Sequence, residues 1–434
     1  MISLRHVRLK SSNWLIVGAI AFAALAALSV QASEEGAPSP ILEKLGPSIS
    51  LRGAFWDRDK SYSSRRGYLA SSAWLTLRPK EVLSSKLFFD GYLAKNDTIG
   101  SPKYFAEARE AYLERSMGSL DLRIGRQVIV WGRGDKVNPT DQWSSKNFTL
   151  LTTDDEDSRL GAGALNLALN LDRYRLIAIW QPEWRMPNYP IPPISGISLS
   201  YVDPGKAAYR QFGLKLDQTG GDFDGSLSFF NGPSRTPNLS VLSAGPTGVN
   251  VGLNFETVQV YGGDIAFNLG SYGFRAEAAY TASADSAGTD PLKFNPEFYG
   301  VLGADRTLFE NLNLNFQFLY KHVFKFQNVR EIADPNTQSM AVQQNLISNQ
   351  LRNNQLGISF RPSYKFFNET LEVEAAYVQW FYNPGGLLRP KATYAVNDHL
   401  KAIAGGEVYF GQRDSFFGRL QDVSSVFTEL RYSF

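Results

Sequence analysis

The amino-acid sequence predicts an all-β fold, a transmembrane antiparallel β-barrel of about 18 strands, with about 16 as the nearest alternative. Three observations carry this expectation. Period-2 segments about ten residues long recur between turn-rich breaks. After residue 32 no apolar run approaches the roughly 20 residues that a membrane-crossing helix needs. Aromatic residues, 13% of the chain, gather at segment ends where interfacial girdles form, as in Phe55-Trp56, Trp180, Trp380-Phe381-Tyr382 and Tyr409-Phe410.

The alternation is clearest in 311–318, where Leu312, Leu314, Phe316 and Phe318 oppose Asn311, Asn313, Asn315 and Gln317. Leu371, Val373 and Ala375 alternate with Glu372 and Glu374, and Phe274, Ala276, Ala278 and Tyr280 with Arg275 and Glu277. Phe212, Leu214 and Leu216 oppose Gln211, Gly213 and Lys215. Such a pattern suits a soluble sheet with its apolar face inward, or a barrel with its apolar face toward lipid and its polar face toward water. Length, regularity and an export signal favour the barrel.

That signal is the N-terminus. Arg5, Arg8 and Lys10 precede an apolar run from Trp14 to Val30, and Val30-Gln31-Ala32 reads as a small-residue cleavage site. Residues 1–32 are therefore expected to be removed, although the run is just long enough for an anchoring helix. Losing three basic residues and no acidic ones moves the formal charge from +2 to −1, which leaves no basic footprint for nucleic acid. The chain has 0 cysteines, excluding a disulfide framework and thiolate metal sites. Only His322 and His399 follow the signal, and no nucleophile elbow, phosphate loop or metal-ligand His pair accompanies them. No catalytic residue, metal site or cofactor is expected.

Breaks in the pattern give the topology. Short ones fall near Pro79, Gly118, Asp172, Gly220, Gly270, Glu310, Asn368 and Asp398. Longer ones fall at 57–66, 95–103, 132–159, 183–206, 231–254, 282–296, 328–347, 383–386 and 411–423. Eight turns and nine loops join 18 strands and leave both termini on one side. The segment 33–46 is too short for a plug domain, so residues 47–434 are expected to form a barrel wide enough for an aqueous channel.

The C-terminal Val426-Phe-Thr-Glu-Leu-Arg-Tyr-Ser-Phe434 alternates to its last residue and resembles the terminal assembly signal of Gram-negative outer-membrane barrels. The resemblance implies an outer-membrane location with both termini periplasmic. It also implies contact with membrane lipid and lipopolysaccharide, and engagement of the barrel-assembly machinery through the strand ending in Phe434. Gly125-Arg-Gln127, Trp131-Gly132, Asp135 and Asn138-Pro-x-Asp141 resemble a motif of porin-like channels, including the alginate-export type and uncharacterised relatives. The third loop, Gly132–Arg159, is similarly placed to the loop that porins fold inward to narrow the pore.

These resemblances imply a passive diffusion channel for small hydrophilic or anionic solutes, saccharides among them. Arg126, Arg133, Asp135, Lys136 and Asp141 are the candidates for constriction and selectivity, since fixed side-chain charges are what sort solutes in such pores. Strict alternation from Ile124 would send Arg126 to lipid, so a bulge at Gly125 is expected to turn it inward. Arg52, Asp90, Arg123, Arg275, Glu277, Lys321, Arg361, Glu372, Glu374, Lys391, Lys401 and Glu407 are expected to line the lumen. With Lys215, Arg431, Asp121 and Glu429 they form a set leaning basic, a hint of acidic solutes. Asp154-Asp155-Glu156-Asp157 suggests a solvated acidic patch or, less directly, a calcium site, although it lacks spaced ligands and a glycine turn. The Pro-rich stretch 181–193 is expected to be a stiff outer loop. A non-conducting assembly barrel is the alternative function, and an outer-membrane enzyme a weaker one.

Overall fold

A computed structural model describes residues 44–58, 66–80, 84–135, 137–246 and 248–434. The expected signal, residues 1–32, and most of the segment 33–46 lie outside the described residues. Eighteen strands form one sheet, and every neighbouring pair traced around it is antiparallel. The first strand, Pro47–Arg58, pairs on one side with Gly67–Leu77 and on the other with the last, Ser425–Ser433, in the register Ser50↔Ser433 and Trp56↔Phe427. That pairing closes the sheet and leaves no free edge, which a membrane interior requires.

Side chains sort as a lipid-embedded barrel demands. Leu227, Leu302 and Leu430 are 69%, 62% and 60% exposed on the outside, while Gln317, Glu429 and Lys321 are 2%, 4% and 5% exposed within. The polar face is the enclosed one, the reverse of a soluble sandwich. Tight turns connect one end. The turn at Gly270-Ser271 joins Thr257–Leu269 to Tyr272–Ala282, with Gly270 at φ 59°, a left-handed geometry that glycine adopts without cost. Tyr174–Gln181 forms a strand although its residues alternate poorly.

The long-loop end carries structure that alternation alone concealed. Tyr174–Gln181 pairs directly with Gln211–Gln218, and Asp224–Pro233 directly with Thr257–Leu269. The chain between them leaves the barrel as a second sheet, in which Gly248–Asn254 pairs antiparallel with Asn238–Gly245 and parallel with Ile197–Val202. Helix Pro335–Ser348 docks on it through Gln344, which accepts from the Leu239 amide at 2.8 Å and donates to the Pro237 carbonyl at 3.2 Å. The helix starts where Asp334 accepts from the Thr337 amide and ends on Asn349 in the left-handed region. The stretches 183–206, 231–254 and 328–347 are therefore a small packed canopy, not plain loops.

The expected bulge at Gly125 is absent. Register runs unbroken through Gly125↔Ala164, Arg126↔Gly163 and Gln127↔Ala162. The shift lies on the adjacent strand, Tyr104–Met117, where Asp90↔Glu110 is followed by Gly91↔Ala108 and Arg109 becomes the extra residue. Gly125, at φ 126°, instead lets the neighbouring strand approach, since a Cβ there would lie 2.8 Å from the Tyr112 Cα.

Candidate functional site

The segment from Trp131 to Arg159 forms two arms joined at a common base, both bonded to residues of the barrel strands. At the base Asp141 pairs with Arg159 at 2.7 Å, and the ring of Trp143, 1% exposed, packs edge-on against Trp131 and Phe230. Two inward-facing glycines make room for this packing. A Cβ on Gly213 would lie 2.5 Å from the Trp143 ring, and one on Gly262 would lie 2.5 Å from the Thr140 methyl.

The first arm, 132–141, meets acidic residues of the wall. Arg133 pairs with Asp217 at 2.8 Å and with Asp264. Glu277, 3% exposed on the strand Tyr272–Ala282, accepts from the amides of Arg133, Gly134 and Thr140 and from the Thr140 hydroxyl, all at 2.8–2.9 Å. Beyond them Asp135 accepts two hydrogen bonds from Arg361, at 2.6 and 2.7 Å.

The second arm, 152–157, meets a basic sector. Asp154 pairs with Arg431 at 2.8 Å and Lys391 at 3.4 Å, Asp155 with Arg389, and Asp157 with Arg52 at 2.6 Å and Arg109 at 3.5 Å. The acidic run is thus paired at three of its four positions and not freely solvated, and among the described residues no cluster that could hold a metal ion is found. The carboxylates of Asp154, Asp155 and Asp157 point at guanidinium and ammonium groups of the wall, while the exposed Glu156 pairs with Arg159 of the loop itself. Glu374 links the arms, lying 3.6 Å from Arg361 and 2.8 Å from Lys391.

Electrostatics differ between base and tip. Burial pushes the Asp141 carboxyl above the ordinary carboxylate range despite the Arg159 guanidinium beside it. Burial acts on Asp154 in the same sense, but Arg431 and Lys391 outweigh it and hold that carboxyl below the ordinary range.

The sequence-derived candidates fall as follows. Arg126 sits opposite Ala111 and Gly163, and its guanidinium bonds Glu183, from the loop after Tyr174–Gln181, at 2.7 Å. Arg133, Asp135 and Asp141 are engaged in the pairs above, and Lys136 lies outside the described residues. Arg52, Arg361 and Lys391 bond the loop from the barrel strands, as does Glu277, and Glu374 lies between Arg361 and Lys391. Asp90 pairs with Arg109 at 3.1 Å, Arg123 with Glu114 at 2.5 Å, Arg275 with Asp305 at 3.0 Å, Lys321 with Glu297 at 3.0 Å, and Glu407 with Arg389 at 3.2 Å. Glu372 stands opposite Lys365 and Thr393, and Lys401 opposite Arg431. The basic residues of the wall are therefore met partly by acidic residues of the loop and partly by carboxylates of neighbouring strands.

Four charged residues of the wall had escaped sequence reasoning: Asp217 and Asp264, which hold Arg133, and Arg389 and Arg109, which hold the second arm. Arg389 has the same parity as Lys391 and was legible from it. Arg109 is the bulged residue, so alternation could not place it. His322 and His399 stand at opposite rims, bonded to the Asn354 side chain and the Ser433 carbonyl.

The barrel is similar in fold to solved structures of low sequence identity. OccAB1 of Acinetobacter baumannii is 9% identical with a TM-score of 0.55, covering 89% of this chain and 96% of that one. OccK5 (OpdH) of Pseudomonas aeruginosa is 10% identical with a TM-score of 0.52, covering 89% and 97%. OccK11 (OpdR) of the same organism is 11% identical with a TM-score of 0.51, covering 89% and 95%. Among curated proteins no sequence match is found. A family model described as "Protein of unknown function (DUF1302)" matches residues 92–434, most of the barrel and all of the two-armed loop, and the chain belongs to that family.

Proposed function

We propose that the protein is a passive diffusion channel of a Gram-negative outer membrane, narrowed by the segment 132–159. The observation that carries this reading is a closed barrel with a polar interior, across which a two-armed loop is ion-paired to opposite walls. Small hydrophilic solutes are the substrate class, neutral or anionic, with saccharides among them. Fixed charges of both signs beside a narrowed passage sort solutes by size and charge distribution. No covalent step is assigned, because the charged side chains near the loop are engaged with one another and the histidines stand at opposite rims.

The exposed apolar exterior fits lipid, with lipopolysaccharide at the canopy end, and the strand ending in Phe434 would be handed over by the barrel-assembly machinery. Kinship with alginate-export-type channels, carried by the Gly-Arg-Gln and Asn-Pro-x-Asp residues, belongs to this proposal too. The docking of both arms and the canopy above them favour one alternative, a non-conducting scaffold barrel. Planar-bilayer recording decides between them. The channel reading expects discrete current steps, a reversal potential reporting weak charge preference, and solute fluxes falling with size. A purified, folded protein that passes no current in several salts contradicts it.

A further inference from the structure

We propose that Glu277 is the positioning residue that sets the width of the passage, by acting as the fixed occupant of an anion nest built into the first arm. The inference rests on the channel reading. Glu277 is buried, and among the described residues no cation pairs with it, because the guanidinium of Arg133 is directed to Asp217 and Asp264. A buried charge without a counter-ion must be met by hydrogen bonds, and here all four come from the loop. Oε2 accepts from the Arg133 and Gly134 amides, and Oε1 from the Thr140 amide and hydroxyl. Successive backbone N–H groups converging on one anion form a nest, and such charge-assisted bonds are stronger than neutral ones.

The arm is shaped for this one carboxylate. Gly132 is held at φ 100°, and a Cβ on it would lie 2.6 and 2.7 Å from the two carboxylate oxygens. Gly262, on the strand paired directly with that of Glu277, leaves the space that the Thr140 methyl fills. Four donors need four lone pairs, which a carboxylate has and an amide lacks. Gln at 277 would turn two N–H groups toward donors on one side, leaving unmet either the Arg133 and Gly134 amides or, where the Thr140 hydroxyl turns to accept, the Thr140 amide. The arm would then be held to the wall by the rest of this contact and by the Arg133 and Asp135 pairs, which tolerate movement because they are made through long guanidinium side chains.

Single-channel recording of Glu277→Gln, Gly132→Ala and Thr140→Val tests this, each in a barrel that retains its heat-resistant electrophoretic mobility. Glu277→Gln and Gly132→Ala, which attack one contact from opposite sides, are expected to raise the conductance toward that of a protein with 132–141 shortened, with added open-channel noise. Thr140→Val, which removes one of four donors, should move it less in the same direction. Wild-type conductance in both of the first two variants overturns the proposal. A change in Glu277→Gln without one in Gly132→Ala also overturns it, because the carboxylate then acts through its charge alone. Hydrogen exchange of the Arg133, Gly134 and Thr140 amides gives a reading independent of current. Faster exchange in Glu277→Gln supports the nest, and unchanged exchange contradicts it. A wild type without current sinks the channel reading but leaves this second reading intact.

Discussion

The first arm of the loop meets carboxylates of the wall with its own backbone and Arg133 and gives one carboxylate, Asp135, to Arg361, whereas the charged groups that the second arm offers to the wall are all carboxylates, met by cations. Their burial differs as well. The side chain of Asp264, which receives the first arm, is 2% exposed, while those of Asp154 and Asp155 on the second arm are 34% and 40% exposed. Ion pairs open to water are weak and easily screened, and buried, fully hydrogen-bonded ones are costly to break. The first arm is thus firmly held, and on the second arm Asp154 and Asp155 are the part that conditions can move, while Asp157 beside them is only 11% exposed.

The largest expected effect comes from the base on which both arms depend. Trp143→Ala empties a site packed by Trp131 and Phe230, and by analogy with other buried aromatic truncations costs about 3–5 kcal/mol. It should erase the distinction between the arms, seen as a lower unfolding midpoint and a noisy, enlarged current. Removing the basic cradle alone sharpens the contrast. Arg389→Gln with Arg431→Gln deprives Asp154 and Asp155 of charged hydrogen bonds worth about 1.5–3 kcal/mol each before solvent screening, which lowers the figure. The second arm should loosen and the reversal potential shift toward cation preference, while exchange at the Arg133 and Gly134 amides stays slow.

Acid separates tip from base. The Asp154 carboxyl lies below the ordinary range, so its docking is in place above that range and is lost as pH falls through its depressed value. Asp141 lies above the ordinary range, so its protonation on mild acidification relieves a burial cost and favours the folded base. Conductance should therefore rise only in strong acid, and Asp154→Asn should show the raised value already at neutral pH. Salt is a gentler probe. Between 0.1 and 1 M the screening length falls from about 10 to about 3 Å, so current should grow faster than the conductivity of the bulk electrolyte. That excess should vanish in Asp154→Asn. The smallest effect is expected from Asp334→Ala, which uncaps the canopy helix. Exchange in its first turn should quicken with the conductance unchanged.

Much of this molecule was readable before its structure, for a physical reason. A strand whose two faces meet lipid and water must alternate, so Leu312 to Phe318 and Leu371 to Ala375 declared themselves, and turns such as Gly270-Ser271 marked the ends. The loop was legible as to place and charge, because Arg133, Asp135 and Asp141 stand out in a long polar stretch. Their partners were not. Arg133 reaches Asp264 across 131 residues, and Arg431 reaches Asp154 across 277. No local pattern encodes such a separation. Asp154-Asp155-Glu156-Asp157 looked solvated because its cations lie on other strands. The canopy was hidden differently. Val249, Val251 and Leu253 alternate like barrel residues, but their partner strand Ile197–Val202 runs parallel to them and comes from another loop.

The central claim is that the two-armed loop narrows an aqueous passage through the barrel. Its most direct test compares the single-channel conductance of the wild type with that of a protein in which Gly132–Arg159 is replaced by a short Gly-Ser linker. The account predicts discrete wild-type steps and a markedly larger conductance, with larger solutes admitted, once the loop is gone. Equal conductance in the two proteins would contradict it.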